Sequence, residues 1–433
     1  MSRIVAGTNL WDGLLELFVI GPDSFVYHKK QINDNKWGEW RVLSTYSREE
    51  TKGRVKDKFT NELMDNRAKD IALYISKEKI ELFMIGIDDG IYCCYQENKK
   101  PWNKWEEQEL TLYSDIFLDL IDRKKELKVL NVFRRHEEPQ KALEIFYIYS
   151  NDLIFYHRRT DSGWSKGKAI AGPAKTFTIA NQKLVEGFSY ETDLALFFIS
   201  SESSPKLGNV LICNTSDPNP YTNSDPFKVG IKPRIPYKNK KGINIALGKM
   251  EDRLELFVIG DKDKSGEINN IWHFRQNKEC EWDSELEAEY FEYITYIPKL
   301  EHFPILGDRY VNVPVTNMMK AIDFAVGLNK PSTEEGNLEL ITLDDDNDIW
   351  PIFQRETNIC WYSVIDVFSD FFNRPKAKEI AMCVDSDGLL HLFTIGIDDE
   401  VYHFNRDSSS GNGNNKQSME LNPYGGQNIQ TMW

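Results

Sequence analysis

Five tryptophans, Trp40, Trp105, Trp164, Trp282 and Trp361, stand in corresponding places of a recurring sequence unit. An indole offers a flat apolar face and a single N–H donor. That pairing suits a ring laid against the C–H face of a pyranose while nearby polar groups hold its hydroxyls. Several such clefts on one chain would act together at high effective concentration. Aromatic rings also serve burial, so the default role of each Trp is a wedge that packs one unit on the next. Tyr27 and Tyr92, from an aromatic-led strand of the first two units, complete the candidate ligand-binding set.

Histidine invites a metal reading. His28, His157, His273 and His403 read as one repeat position, and imidazole is the commonest metal ligand. Equivalent positions in different units lie too far apart to share an ion, so a repeated structural hydrogen bond is the expected role. Asp261, Asp263 and Ser265, followed by Gly266 and Ile268, read as the front of a calcium loop, but its twelfth position is Trp272 rather than a bidentate Glu. An extended hairpin loop is the default there and calcium the alternative; no other metal or cofactor is expected. Asp344 to Asp348 reads as a solvated turn. No nucleophile elbow, H-E-x-x-H pair or sialidase-type repeat is read, and no catalytic residue is assigned. The reading leans away from an enzyme, with a propeller glycosidase as a minor alternative.

What must position these side chains is the unit itself. A tetrapeptide recurs seven times, from Leu15-Glu16-Leu17-Phe18 through Ile80-Glu81-Leu82-Phe83 to Leu390-His391-Leu392-Phe393, its last residue spaced by 65, 63, 51, 60, 84 and 52 positions. Upstream lies a short apolar piece with a small residue, such as Ile71-Ala72-Leu73. Downstream comes a turn such as Gly86-Ile87-Asp88-Asp89-Gly90, then the aromatic-led strand, then the Trp-bearing segment. Four short β segments joined by turns make an antiparallel meander, and seven meanders in a row predict an all-β, seven-bladed propeller of four-stranded blades. The tetrapeptide strand is apolar on both faces apart from one Glu, as expected of a strand sandwiched between neighbouring blades. The predicted single domain spans 1–433, with blades near 1–45, 68–112, 127–172, 176–232, 243–290, 320–367 and 377–424. Residues 46–67 read as a charged connector, 113–126 as a helical turn or two, and 291–319 as an insertion.

With 53 Lys+Arg against 68 Asp+Glu, the formal charge of −15 argues against nucleic acid and anionic lipid. Hydrophobic residues at 41% supply a core. No apolar run approaches the roughly 20 residues that span a bilayer, so no membrane insertion is expected. The N-terminus lacks the pattern of a signal peptide. Six scattered cysteines without C-x-x-C spacing fit a reducing compartment. The expected setting is cytoplasmic, or outside the cell after export by a non-classical route.

The first unit reads Leu15-Glu16-Leu17-Phe18-Val19-Ile20-Gly21, Val26-Tyr27-His28-Lys29-Lys30-Gln31, Trp37 and Trp40, and the second repeats the pair as Trp102 and Trp105. This pattern resembles the repeat of the PLL-like seven-bladed propeller lectins. The resemblance implies a non-enzymatic carbohydrate-binding module with fucosylated or O-methylated glycans or glycoproteins as partners. The alternative is a protein-interaction scaffold in which the acidic face and residues 291–319 grip a protein partner. Fungal fucose lectins look related, but an Arg of their second strand is Glu16, Glu81, Glu144 and Glu255 here, so their sugar site is not transferred.

Overall fold

The computed structural model describes residues 3–33, 36–43, 67–98, 100–108, 110, 126–134, 143–183, 192–200, 210–215, 242–250, 253–260, 271–275, 289–290, 321–329, 337–355, 360–363 and 376–405. Among these the chain is all-β, and no helix is long and apolar enough to cross a membrane. It divides into two compact units, 1–175 with 432–433, and 176–431.

In the first unit, the first sheet holds β1 (Ile4–Thr8), β2 (Leu15–Ile20), β3 (Val26–Asn33), β4 (Lys36–Trp37) and β5 (Arg41–Val42). The second holds β6 (Ala68–Ile75), β7 (Lys79–Gly86), β8 (Ile91–Glu97) and β9 (Glu106–Glu107). The third holds β10 (Lys128–Arg134), β11 (Leu143–Ile148), β12 (Ile154–Thr160), β13 (Gly163–Trp164) and β14 (Lys168–Ala171). The fourth sheet, β15 (Ala174–Lys183), β16 (Thr192–Ser200) and β17 (Val210–Thr215), begins at the unit boundary.

In the second unit follow the fifth sheet, β18 (Gly242–Met250), β19 (Arg253–Gly260), β20 (Ile271–Arg275) and β21 (Glu289–Tyr290), and the sixth, β22 (Ala321–Asn329), β23 (Asn337–Asp344), β24 (Ile349–Arg355) and β25 (Cys360–Ser363). The seventh holds β26 (Ala377–Val384), β27 (Leu390–Gly396) and β28 (Val401–Asn405). Each sheet is an antiparallel meander in chain order. Four strands per sheet is not uniform among the described residues. The fourth and seventh sheets have three, while the first and third have five because the outer strand is broken into two pieces that both pair with the third strand.

The tetrapeptide strands are buried on both faces. All residues of β2, β11 and β27 are buried, which explains why they do not alternate in polarity. Their phenylalanines Phe18, Phe83, Phe146, Phe197, Phe257 and Phe393 form the centre of the packing. In the first unit Phe18 and Ile20 pack with Ile71 and Leu82 of the second sheet, and Phe83 and Ile85 with Leu130 and Ile145 of the third. In the second unit Phe257 packs with Leu338 and Leu340.

Neighbouring sheets approach closely at the first strand. Gly248 pairs with Glu255, and a Cβ there would come within 2.9 Å of Val326 Cγ1 in the sixth sheet. A β-bulge interrupts the first strand at one recurring place, between Ala68 and Asp70, Gly242 and Asn244, Ala321 and Asp323, and Ala377 and Glu379. At three of these four places the residue after the slip ties sheet to sheet. Asp70 accepts from Leu130 N at 2.7 Å, and Asn244 Nδ2 donates to Asp323 Oδ1 at 2.6 Å.

Candidate functional site

The Glu of the tetrapeptide is a buried charge, so it needs partners. Glu16 accepts from His28 Nε2 at 2.5 Å, from Asn9 Nδ2 at 2.8 Å and from Lys30 Nζ at 3.0 Å. Burial alone would raise its pKa, but these partners outweigh it and hold the carboxyl below its ordinary range. Glu255 accepts from His273 at 2.8 Å. The seventh sheet has His391 in the same place, which shares a 2.8 Å hydrogen bond with His403 and donates to Asp385 at 3.0 Å. His28, His273 and His403 each stack on the Phe opposite, with centroids 4.8, 4.8 and 4.6 Å apart. The expected structural hydrogen bonds are therefore present.

His157 is not part of that column. Phe18 faces His28, Phe257 faces His273 and Phe393 faces His403, but Phe146 faces Tyr156. Tyr156 takes the histidine's role by donating to Glu144 at 2.9 Å. His157, one residue on, donates from Nδ1 to Ser165 O at 3.0 Å and accepts from Tyr147 OH at 2.9 Å. Burial lowers its pKa to about 4.

The tryptophans fall into two columns. Trp37 pairs with Gln31, Trp164 with Arg159 and Trp361 with Gln354, each five residues past the start of the third strand. Trp102 belongs with them: Gly38 N, Asn103 N and Ser165 N, each just after its Trp, donate to the equivalent carbonyls of Lys30, Tyr95 and Arg158. Trp40 and Trp105 form a second column, three residues later, whose place in the third sheet is held by Gly167. Trp105 is 8% exposed and its Nε1 donates to Leu43 O at 2.6 Å, a wedge between the first two sheets. Trp40 is half-buried, with Lys29 Nζ 5.1 Å from its centroid.

Between the first and second sheets lies a cleft of about 530 Å³. Trp102 forms one wall, edge-on to Phe18 at 5.4 Å and to His28 at 5.5 Å. Lys30, Glu39, Arg41, Gln96 and Asn103 supply polar groups, and Ile32 and Val42, 52% and 45% exposed, give the rim an apolar margin. Lys30 is also held by Asp12 at 2.7 Å. Trp102 Nε1 and Gln96 Oε1 are buried atoms with no hydrogen-bond partner. Each costs about 1–3 kcal/mol in that condition.

Between the second and third sheets the same wedge recurs in a different environment. Trp164 is edge-on to Phe83 at 6.2 Å, but its Nε1 donates to Gln108 Oε1 at 2.8 Å. The Arg159 guanidinium lies 4.8 Å from the Trp164 centroid and 5.8 Å from that of Phe83, and donates to Glu81 Oε1 at 2.6 Å. Two positions make the difference. Arg159 stands where the second sheet has Gln96. Gln108 stands where the first sheet has Leu43, both donating their backbone N–H to the first residue of the third strand.

Tyr27 and Tyr92 line neither of these arrangements. Tyr27 OH donates to Asp23 at 2.7 Å, and burial together with that carboxylate pushes its pKa up to about 12; Tyr92 OH donates to Asp88 in the same way. Asp344 caps its own turn, accepting from Asp346 N, Asp348 N and Trp350 Nε1 at 3.0, 2.8 and 2.7 Å. Although no nucleophile elbow is expected, Gly163-Trp164-Ser165-Lys166-Gly167 spells G-x-S-x-G. It runs on from β13 rather than through a strand-to-helix elbow, and Ser165 Oγ accepts from Arg158 N at 2.9 Å. Trp282, the loop of Asp261, Asp263 and Ser265, and residues 46–66, 111–125 and 291–319 lie outside the described residues.

No protein-family model matches the sequence, and no curated protein matches it. Among solved structures the chain is similar to the BP39L lectin from Burkholderia pseudomallei at 10% identity and a TM-score of 0.59, covering 94% of this chain and 96% of that one. It is also similar to the Aleuria aurantia lectin, a six-bladed β-propeller with a fucose recognition mode, at 11% identity and a TM-score of 0.44 over 95% and 93% of the two chains. AofleA from Arthrobotrys oligospora follows at 10% and 0.43 over 84% and 86%. The first likeness defines a shared fold; the other two, below 0.5, add nothing to it.

Proposed function

We propose that the chain is a non-enzymatic, carbohydrate-binding β-propeller of the PLL-like kind, its seven sheets serving as blades and its clefts between sheets taking glycan. The observation that carries this reading is the open cleft at Trp102, where one buried donor and one buried acceptor lack partners. A sugar hydroxyl both donates and accepts, so sugar hydroxyls suit both Trp102 Nε1 and Gln96 Oε1. The apolar margin of Ile32 and Val42 supports a ligand with an exposed methyl group, as fucosylated or O-methylated glycans have. BP39L is itself a lectin, a use of the fold in keeping with this reading.

The test is a glycan array probed with the purified chain, with calcium and with a chelator, beside Trp102→Phe. Selective binding that Trp102→Phe loses is the expected result. A blank array from folded protein overturns the reading in favour of a protein-binding scaffold, whose candidate surface at 291–319 lies outside the described residues.

A further inference from the structure

The second cleft of the first unit holds what the first lacks: a planar polar group lying on the Trp ring, paired with a carboxylate. Arg159 supplies it from within the chain. Its guanidinium sits 4.8 Å from the Trp164 centroid and its Nη1 donates to Glu81 Oε1 at 2.6 Å. Gln108 takes up the indole N–H at 2.8 Å. Guanidinium stacks on aromatic faces and pairs with carboxylates, so the indole N–H, its ring face and the carboxylate there are already engaged. In the first cleft the same position carries Gln96, whose amide donates to Lys100 O at 2.7 Å and leaves its own oxygen and Trp102 Nε1 without partners.

We infer that Arg159 is a built-in occupant of the cleft between the second and third sheets, and that the residue five past the start of the third strand decides whether a cleft binds. The inference rests on the glycan reading above and adds to it which clefts are competent. Arginine at that position closes a cleft; glutamine leaves it open where its oxygen is unpartnered, as at Gln96, whereas Gln31 at the same position accepts from Leu15 N at 3.0 Å. Gln354 holds the same register position opposite Trp361 as Arg159 holds opposite Trp164. A lectin built this way sets its valency by side chains that plug clefts, with no change of fold.

The test is isothermal titration of the full-length chain with free L-fucose, reading sugars bound per chain. Arg159→Gln is expected to add one site per chain, and Gln96→Arg to remove one. Because Glu81 keeps Lys79 at 3.0 Å but loses Arg159 in the first variant, Arg159→Gln/Glu81→Gln is titrated as well, with circular dichroism confirming the fold. Gln96→Arg acts on the open cleft and keeps the inference testable even where both Arg159 variants fail to fold. Wild-type protein that binds no L-fucose overturns the fucose reading on which the inference rests. Wild-type protein that binds, with a stoichiometry unmoved by Arg159→Gln or Gln96→Arg, overturns the inference alone.

Discussion

The two clefts of the first unit share a wedge and differ in what satisfies it. Trp102 stands edge-on to Phe18 as Trp164 stands edge-on to Phe83. In the second cleft the indole N–H, the guanidinium and the buried carboxylate form a closed set, Trp164 to Gln108 and Arg159 to Glu81. In the first, Leu43 occupies the place of Gln108 and offers no side-chain acceptor, while Gln96 is too short and uncharged to do what Arg159 does. The carboxylate there, Glu16, is satisfied from its own sheet by His28 and Lys30. The same backbone thus yields a self-satisfied joint and an unsatisfied one. Repetition of a fold fixes where a ring stands; the handful of side chains around it fixes whether that ring is structure or site.

Breaking the closed cleft has the largest expected effect. Glu81→Ala leaves Arg159 stacked against two rings without its carboxylate, with the guanidinium only partly exposed. Removing one member of a well-buried pair costs 3–5 kcal/mol; solvent reaching Arg159 reduces this to about 2–3 kcal/mol. Urea unfolding of the variant beside the wild type reads it directly. An unchanged midpoint would show that the pair does not hold the second cleft together.

Acid separates the two regions. His157 has a folded pKa lowered by burial from 6.5 to about 4, so between those values the unfolded chain binds the extra proton. Stability is full above pH 6.5 and falls as pH drops toward 4, by at most about 1.4 kcal/mol per pH unit. The ring's Nε2 accepts from Tyr147, a hydrogen bond that imidazolium cannot accept. Glu16, in contrast, is held below its ordinary 4.5. Its contribution is present above that value and is lost only as pH falls below it. Unfolding midpoints for His157→Gln should therefore lose part of the slope between pH 6.5 and 4, the rest being kept by His403, which burial also holds low, while Glu16→Gln alters the curve only at lower pH. The same loss of slope in both variants would remove the distinction.

How far the sequence showed this comparison depends on the range of the interactions. The strands were legible because burial on both faces writes itself as a continuous apolar run, and the turns because Asp and Gly mark them. The phase of the repeat was not. In the third sheet the connection from β12 to β13 is one residue shorter than its counterpart in the first, and the pairing puts Trp164 with Trp37 rather than with Trp40, three residues further along. Phe155-Tyr156-His157 looks like Val26-Tyr27-His28 until Ile148 pairs with Ile154 and moves the histidine one place on. Asp70, Asn244 and Asp323 at the β-bulges carry no local signal, since each acts on a strand about 60 to 80 residues away. Gln96 was invisible for the same reason: its meaning lies in the partner it lacks.

The sharpest test of the comparison is its smallest expected effect on stability. Trp164→Phe keeps an aromatic ring near Phe83 but deletes the hydrogen bond to Gln108, leaving a half-buried acceptor behind. The expected loss is about 1–2 kcal/mol. Trp102→Phe deletes a donor that has no partner. The lost ring area costs stability, while removal of an unsatisfied N–H returns about 1–3 kcal/mol, so the two nearly cancel. Thermal unfolding of the two variants should then differ although the substitution and the wedge are the same. If Trp102→Phe destabilises as much as Trp164→Phe, its indole N–H is satisfied in solution and the first cleft is as closed as the second. If Trp102→Phe folds with wild-type stability and loses only the glycan response, the donor is held in place for a ligand.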